Sequence, residues 1–174
     1  MRFNGASLAS AVSLLLLVTG SAIAADEGGN SNASLKGKFR LSINKTCTDT
    51  ATGATVHLYF SGVTTYDGNG HATLTERGTI FFGGTSFLAF EETGNLTYEV
   101  KPNGSFIRTG TFTATDGSYT LTGVKQVGQI DADNSVLNLS GAIPPVLETL
   151  SFPGGGFSER YCGTSGTEVR IQPQ

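Results

Sequence analysis

The sequence predicts an all-β domain, an antiparallel meander closed into a barrel of about 8 to 10 strands, with a two-sheet sandwich as the alternative. Three observations lead there. Apolar residues recur at every second position over several stretches, the spacing that gives a strand one dry face. Asp-Gly and Asn-Gly pairs punctuate those stretches, and such pairs accept the positive φ of tight hairpins. No segment shows a sustained apolar period of 3.6 residues, so almost no helix is expected.

At the start of the chain, Arg2 precedes an apolar run through Leu14-Leu15-Leu16-Leu17-Val18, and Ala22-Ile23-Ala24 stands ahead of Ala25. A charged start, a short apolar stretch and a small-x-small end make residues 1–24 an expected secretory signal peptide. Residue 25 is Ala rather than a lipoprotein Cys. No later apolar run reaches the length of about 18 residues that a membrane helix needs, so the mature chain is expected to be secreted or periplasmic without a membrane span. Residues 25–35 include the polar run DEGGNSNAS, which buries too little apolar area to offset ordering and reads as a flexible lead-in. Residues 36–174 are then a single barrel domain.

Within that domain, Phe39, Leu41 and Ile43 alternate with Lys38, Arg40, Ser42 and Asn44, and Val56, Leu58 and Phe60 alternate with Thr55, His57, Tyr59 and Ser61. Leu96, Tyr98 and Val100 alternate with Thr97 and Glu99, Phe106 and Phe112 oppose Thr109, Thr111 and Thr113, and Tyr119 and Leu121 oppose Thr120 and Thr122. Turns are marked by Asp67-Gly68-Asn69-Gly70, Pro102-Asn103-Gly104, Asp116-Gly117 and Asp131-Ala132-Asp133-Asn134. Gly141 to Gly156, with Ile143-Pro144-Pro145 and Phe152-Pro153-Gly154-Gly155-Gly156, reads as a long excursion from the sheet, since Pro cannot donate into a ladder and consecutive Gly pack nothing.

Two cysteines, Cys47 and Cys162, are the only ones in the chain, and in an oxidising compartment they are expected to pair. The bridge would span 115 positions and tie the first strand to the last, which favours closure over a sandwich. Without Arg2 the chain carries 10 basic and 14 acidic side chains, a charge of about −4. So sparse a positive charge excludes the footprint that nucleic acid requires.

The phrase Phe60-Ser61-Gly62-Val63-Thr64-Thr65-Tyr66-Asp67-Gly68-Asn69-Gly70-His71-Ala72-Thr73, with Gly94-Asn95-Leu96-Thr97-Tyr98-Glu99-Val100-Lys101-Pro102-Asn103-Gly104-Ser105 downstream, resembles small exported bacterial domains built from repeated strand, Asp-Gly-x-Gly turn and strand. The opening Gly37-Lys38-Phe39 matches their Gly-x-Phe/Tyr strand. The resemblance implies a barrel similar to the lipocalin-like calycins in shape. The chain contains no Trp, so it departs from the Gly-x-Trp opening of the lipocalins themselves.

Charges that interrupt the alternation are the candidate site. Glu76 shares the parity of Ala72 and Leu74, Arg108 that of Phe106 and Phe112, and Lys125 that of Tyr119 and Leu121. If parity holds, these three charges enter the barrel beside Tyr98 and form a polar ligand-binding cluster in which Glu76 pairs with Arg108. A β-bulge would turn any of them outward. His57 and His71 fall on polar faces or turns, Asp67 to His71 and Asp131 to Ser135 read as turns rather than calcium loops, and no metal site or cofactor is expected. Asn32, Asn44, Asn95, Asn103 and Asn138 each open an Asn-x-Ser/Thr sequence and are given no role.

No Gly-x-Ser-x-Gly elbow, His-Glu-x-x-His or phosphate loop is present, so a non-enzymatic barrel binding a small molecule or protein at its mouth is the expected function. Two alternatives stay open: a small-cavity isomerase or cyclase using Glu76 as base and Arg108 as clamp, and a structural or adhesive surface subunit. A dry, packed interior would favour the last.

Overall fold

The alternation is realised as antiparallel strands. A computed structural model of the chain describes residues 31–171, so the expected signal peptide, the first part of the lead-in and residues 172–174 lie outside the described residues. A 3-10 turn, Ser31–Leu35, precedes β1 (Lys36–Asp49), β2 (Thr55–Asp67), β3 (His71–Phe81), β4 (Phe87–Val100), β5 (Ser105–Ala114), β6 (Thr120–Ile130), β7 (Val136–Gly141), β8 (Leu147–Ser151) and β9 (Phe157–Arg170). Each strand from β1 to β6 pairs with the next, and β9 returns to β1. β7 and β8 lie end to end in the lane between β6 and β9, so the nine strands close an eight-lane barrel. No helix of the described residues is long and apolar enough to cross a membrane.

Cys47 and Cys162 face each other on β1 and β9 and are disulfide-bonded, with Cα atoms 4.1 Å apart. The bond fastens the seam at which the barrel closes.

The barrel has one sealed end. There Tyr66 is the centre of edge-to-face contacts with Phe39 at 5.3 Å and Tyr98 at 5.0 Å. The 3-10 turn plugs this end: Leu35 is fully buried, and the Asn32 side chain accepts from the Val100 amide and donates to the Tyr98 carbonyl. Arg170 covers the Phe39 ring and donates to the carbonyls of Ser34, Lys36 and Asn134. The flexible lead-in expected over residues 25–35 is therefore corrected for Ser31–Leu35. One apolar anchor and one Asn that satisfies strand-end backbone groups suffice to order a short polar segment.

Two further expectations are corrected. β6 carries one extra residue opposite β5, because Gly110 faces Val124 while Phe112 faces Leu121. Gly123 takes up the bulge at φ +79°, and a Cβ there would lie 2.3 Å from the Leu147 carbonyl oxygen. Parity shifts across it, so Val124 and Gln126 follow Leu121 inward and Lys125 turns outward beside Thr109. The second correction lies within Gly141 to Gly156: Leu147–Ser151 form β8, filling the lane that β7 leaves short. Proline and glycine confine themselves to the connections on either side of that strand.

Candidate functional site

At the end opposite the plug, the hairpins between β1 and β2, β3 and β4, β5 and β6, and β8 and β9 surround the mouth of an interior cavity of about 400 Å³. Its walls include Leu58, Phe60, Leu74, Phe90, Phe112 and Leu121, and Phe82, Leu88 and Phe152 stand at the mouth. These positions are inward because strand parity puts them there; Phe60 and Phe90 meet edge to face at 5.9 Å. A wider hollow of about 1300 Å³ lies across outward residues such as Ser42, Asn44, Tyr59 and Arg77 and is open to solvent.

Polar groups form the deeper part of the interior. Arg108 from β5 reaches Glu168 on β9, with Nη1 2.6 Å from Oε1. Thr64 and Tyr66 from β2 donate to the two Glu168 oxygens at 2.7 Å each, and Arg108 Nε donates to Gln126 at 2.7 Å. Burial alone would pull the Arg108 guanidinium down, but the charge of Glu168 and its hydrogen bond outweigh it and hold Arg108 above its ordinary value. A second network joins Lys45 to Glu148, with Nζ 2.6 Å from Oε1, and Arg160 to the same carboxylate, with Nε 3.2 Å from Oε2. Glu148 also lies beside Cys47 and Cys162, but both sulfurs are spent in the disulfide.

Glu76 and Glu92 sit directly opposite each other on β3 and β4, both buried, and Tyr119 donates to Glu92 Oε2 at 2.7 Å. Burial first, then the hydrogen bond to Glu92 and its charge, push the Glu76 carboxyl well above the usual carboxylate range. Two facing carboxyls in a dry interior disfavour a second charge, and that cost falls on Glu76.

The raised Glu76 value sets a pH dependence. Above the ordinary Glu value of 4.5, the unfolded chain releases the Glu76 proton while the folded chain keeps it, so stability falls as pH rises until the raised folded value is reached. One retained proton gives a slope of about 1.4 kcal/mol per pH unit. Glu76→Gln keeps the shape without the titrating proton, so its urea midpoint should change less than the parent's as pH rises above 4.5. Equal slopes for parent and variant would show that Glu76 ionises normally.

Of the residues singled out from sequence, Glu76 and Arg108 both line the cavity, at 4% and 2% exposure. They do not form the expected ion pair, because Arg108 is taken by Glu168. Lys125 is outside, as described, and Tyr98 belongs to the sealed end, where its hydroxyl lies 3.2 Å from the carbonyl oxygens of Asn32 and Leu35 and accepts from the Gly68 amide. Tyr98 is thus a structural residue away from the cavity walls. The sequence reading missed Lys45, Glu92, Gln126, Glu148, Arg160 and Glu168. Continuing the parity of Phe39-Leu41-Ile43 by one step reaches Lys45, and running that of Val100-Tyr98-Leu96 backward reaches Glu92. The turn carboxylates are occupied locally: Asp67 accepts from the amides of Asn69 and His71, and Asp131 from those of Ser135 and Val136.

Among the described residues, two buried side-chain polar atoms have no hydrogen-bond partner, Glu76 Oε2 and Arg108 Nη2. Both belong to residues that line the same cavity.

No family model and no curated protein sequence matches the chain. Among solved structures it is similar to a redesigned β-barrel, mFAP1, bound to DFHBI, at 14% identity and a TM-score of 0.40, over 82% of this chain and 100% of that one. It is also similar to the S-type phycobiliprotein lyase CPES from Guillardia theta, at 6% identity and a TM-score of 0.36, over 82% of this chain and 92% of that one.

Proposed function

We propose that the protein is an exported, non-enzymatic binding protein that holds a small, mostly apolar molecule inside its barrel. The observation that carries this reading is the cavity itself: about 400 Å³, walled by aromatic and aliphatic side chains, with a buried donor and a buried acceptor unspent. Buried polar groups without partners are costly and rare in folded proteins, and a ligand that supplies those partners removes the cost. Apolar walls with few convergent polar groups are the usual make-up of small-molecule sites. A structural subunit needs no such hollow, and a packed interior would be more stable. Export is supported by the expected signal peptide of residues 1–24 and by the disulfide, which persists in oxidising compartments.

The test is titration with a neutral environment-sensitive dye, 6-propionyl-2-(dimethylamino)naphthalene. The dye is excited at wavelengths longer than those Tyr and Trp absorb, so its emission is read without protein interference in parent and variants alike. The expected result is saturable blue-shifted emission at one site per chain, weakened about tenfold or more by Leu58→Trp or Leu74→Trp, which fill the cavity. Circular dichroism identifies a variant that remains folded. Absence of a saturable shift, or equal affinity in a folded cavity-filled variant, would overturn the reading.

A further inference from the structure

We infer that the cavity selects an uncharged, flat aromatic molecule carrying a hydrogen-bond acceptor and a donor, of the carboxamide or lactam type. The inference rests on the binding role proposed above and names the ligand class for that same cavity.

The two unpartnered atoms define the polar half of the ligand. Guanidinium has five N–H groups; Arg108 spends Nε on Gln126 and Nη1 on Tyr66 and Glu168, leaving Nη2 unpartnered. A guanidinium does not release its proton in proteins, so Nη2 can be satisfied only by an acceptor. Glu76 Oε2 is a carboxyl oxygen without a partner, and its lone pairs call for a donor. A molecule that carries both a carbonyl and an N–H answers both.

Charge within the barrel favours an uncharged ligand. Among the described residues, the buried Lys, Arg and Glu side chains are Lys45, Arg108, Arg160, Glu76, Glu92, Glu148 and Glu168. Burial beside Glu92 disfavours charge on Glu76, which brings the four carboxyls toward balance with the three cations. An anion or a cation brought among them would leave one charge uncompensated in a low-dielectric space, whereas a neutral polar group adds none. Charge balance thus points the same way as the unpartnered atoms, although it is a separate observation.

The apolar half follows from the walls. Phe60, Phe90 and Phe112 line the space together with Leu74, Leu121 and Val124. Aromatic walls offer ring edges and faces to a planar molecule, and about 400 Å³ accommodates a three-ring framework with a small substituent.

The test uses four fluorescent probes on one framework: anthracene-2-carboxamide, its methyl ester counterpart methyl anthracene-2-carboxylate, anthracene-2-carboxylate and 2-(aminomethyl)anthracene. They share the ring framework and differ in the donor, acceptor and charge of one small substituent. The amide is expected to bind about tenfold or more tightly than each of the others, the equivalent of one buried hydrogen bond or one uncompensated charge. Glu76→Leu should abolish the preference for amide over ester, while Glu76→Gln, which retains a carbonyl oxygen for the ligand, should preserve it. If the naphthalene dye binds but the four probes are indistinguishable, absent or led by the carboxylate or the amine, the ligand class is wrong and the binding cavity stands. If neither dye nor probes bind, both readings fall.

Discussion

Glu168→Leu is expected to remove about 3 to 5 kcal/mol of stability, because it leaves the Arg108 guanidinium buried without its carboxylate. Glu168 is wholly inaccessible and accepts from Thr64, Tyr66 and Arg108, so the substitution orphans two hydroxyls as well as a charge. Arg108→Leu should cost a similar amount by exposing the same defect from the other side. The double variant Arg108→Leu with Glu168→Leu should be less damaged than the sum, since replacing a buried pair by apolar groups removes the desolvation cost along with the attraction. Urea midpoints of the three variants measure this coupling. Three values within about 0.5 kcal/mol of the parent, the range of ordinary surface substitutions, would contradict the buried pair.

The second large effect concerns the seam. Opening Cys47–Cys162 should lower stability by about 4 to 5 kcal/mol in the chain-entropy account, since the bridge constrains a loop of 115 positions in the unfolded chain. The two residues oppose each other in the β1–β9 ladder, so Cys47→Ala with Cys162→Ala should keep the barrel while reducing its urea midpoint. Denatured, unreduced protein should show no reactive thiol and reduced protein two. Two reactive thiols before reduction would refute the bond.

The barrel was legible in the sequence because its physics is local. Strands write their dry face into alternate residues, and three hairpins write their turns into Asp67-Gly68, Asn103-Gly104 and Asp116-Gly117. The pairing of the only two cysteines then joined the first strand to the last. The inward direction of Glu76 and Arg108 followed from the same parity, because Leu74 and Phe106 beside them fix the face. Lys125 failed for the opposite reason: the extra residue at Gly123 is a response to the close approach of the β8 backbone, a contact between segments that alternation does not record. Glu168 lies in a strand rich in Gly, Ser and Thr, where no apolar neighbour marks the inner face. Long-range pairings were the least legible, so Arg108 was matched with the nearest visible carboxylate rather than with its partner across the barrel. The plug was missed because one buried Leu35 and one Asn32 do the work that composition assigns to longer apolar runs.

The central claim is that the interior of the barrel is the binding site. Carbon-13 methyl spectra of the oxidised protein, recorded with increasing 6-propionyl-2-(dimethylamino)naphthalene, test it most directly. The account predicts ring-current shifts at the inward methyls of Leu74, Leu121 and Val124, with the outward methyls of Val63 and Val169 unmoved. Shifts confined to Val63, Val169 or other outward methyls, or no shift at saturating probe, would contradict it.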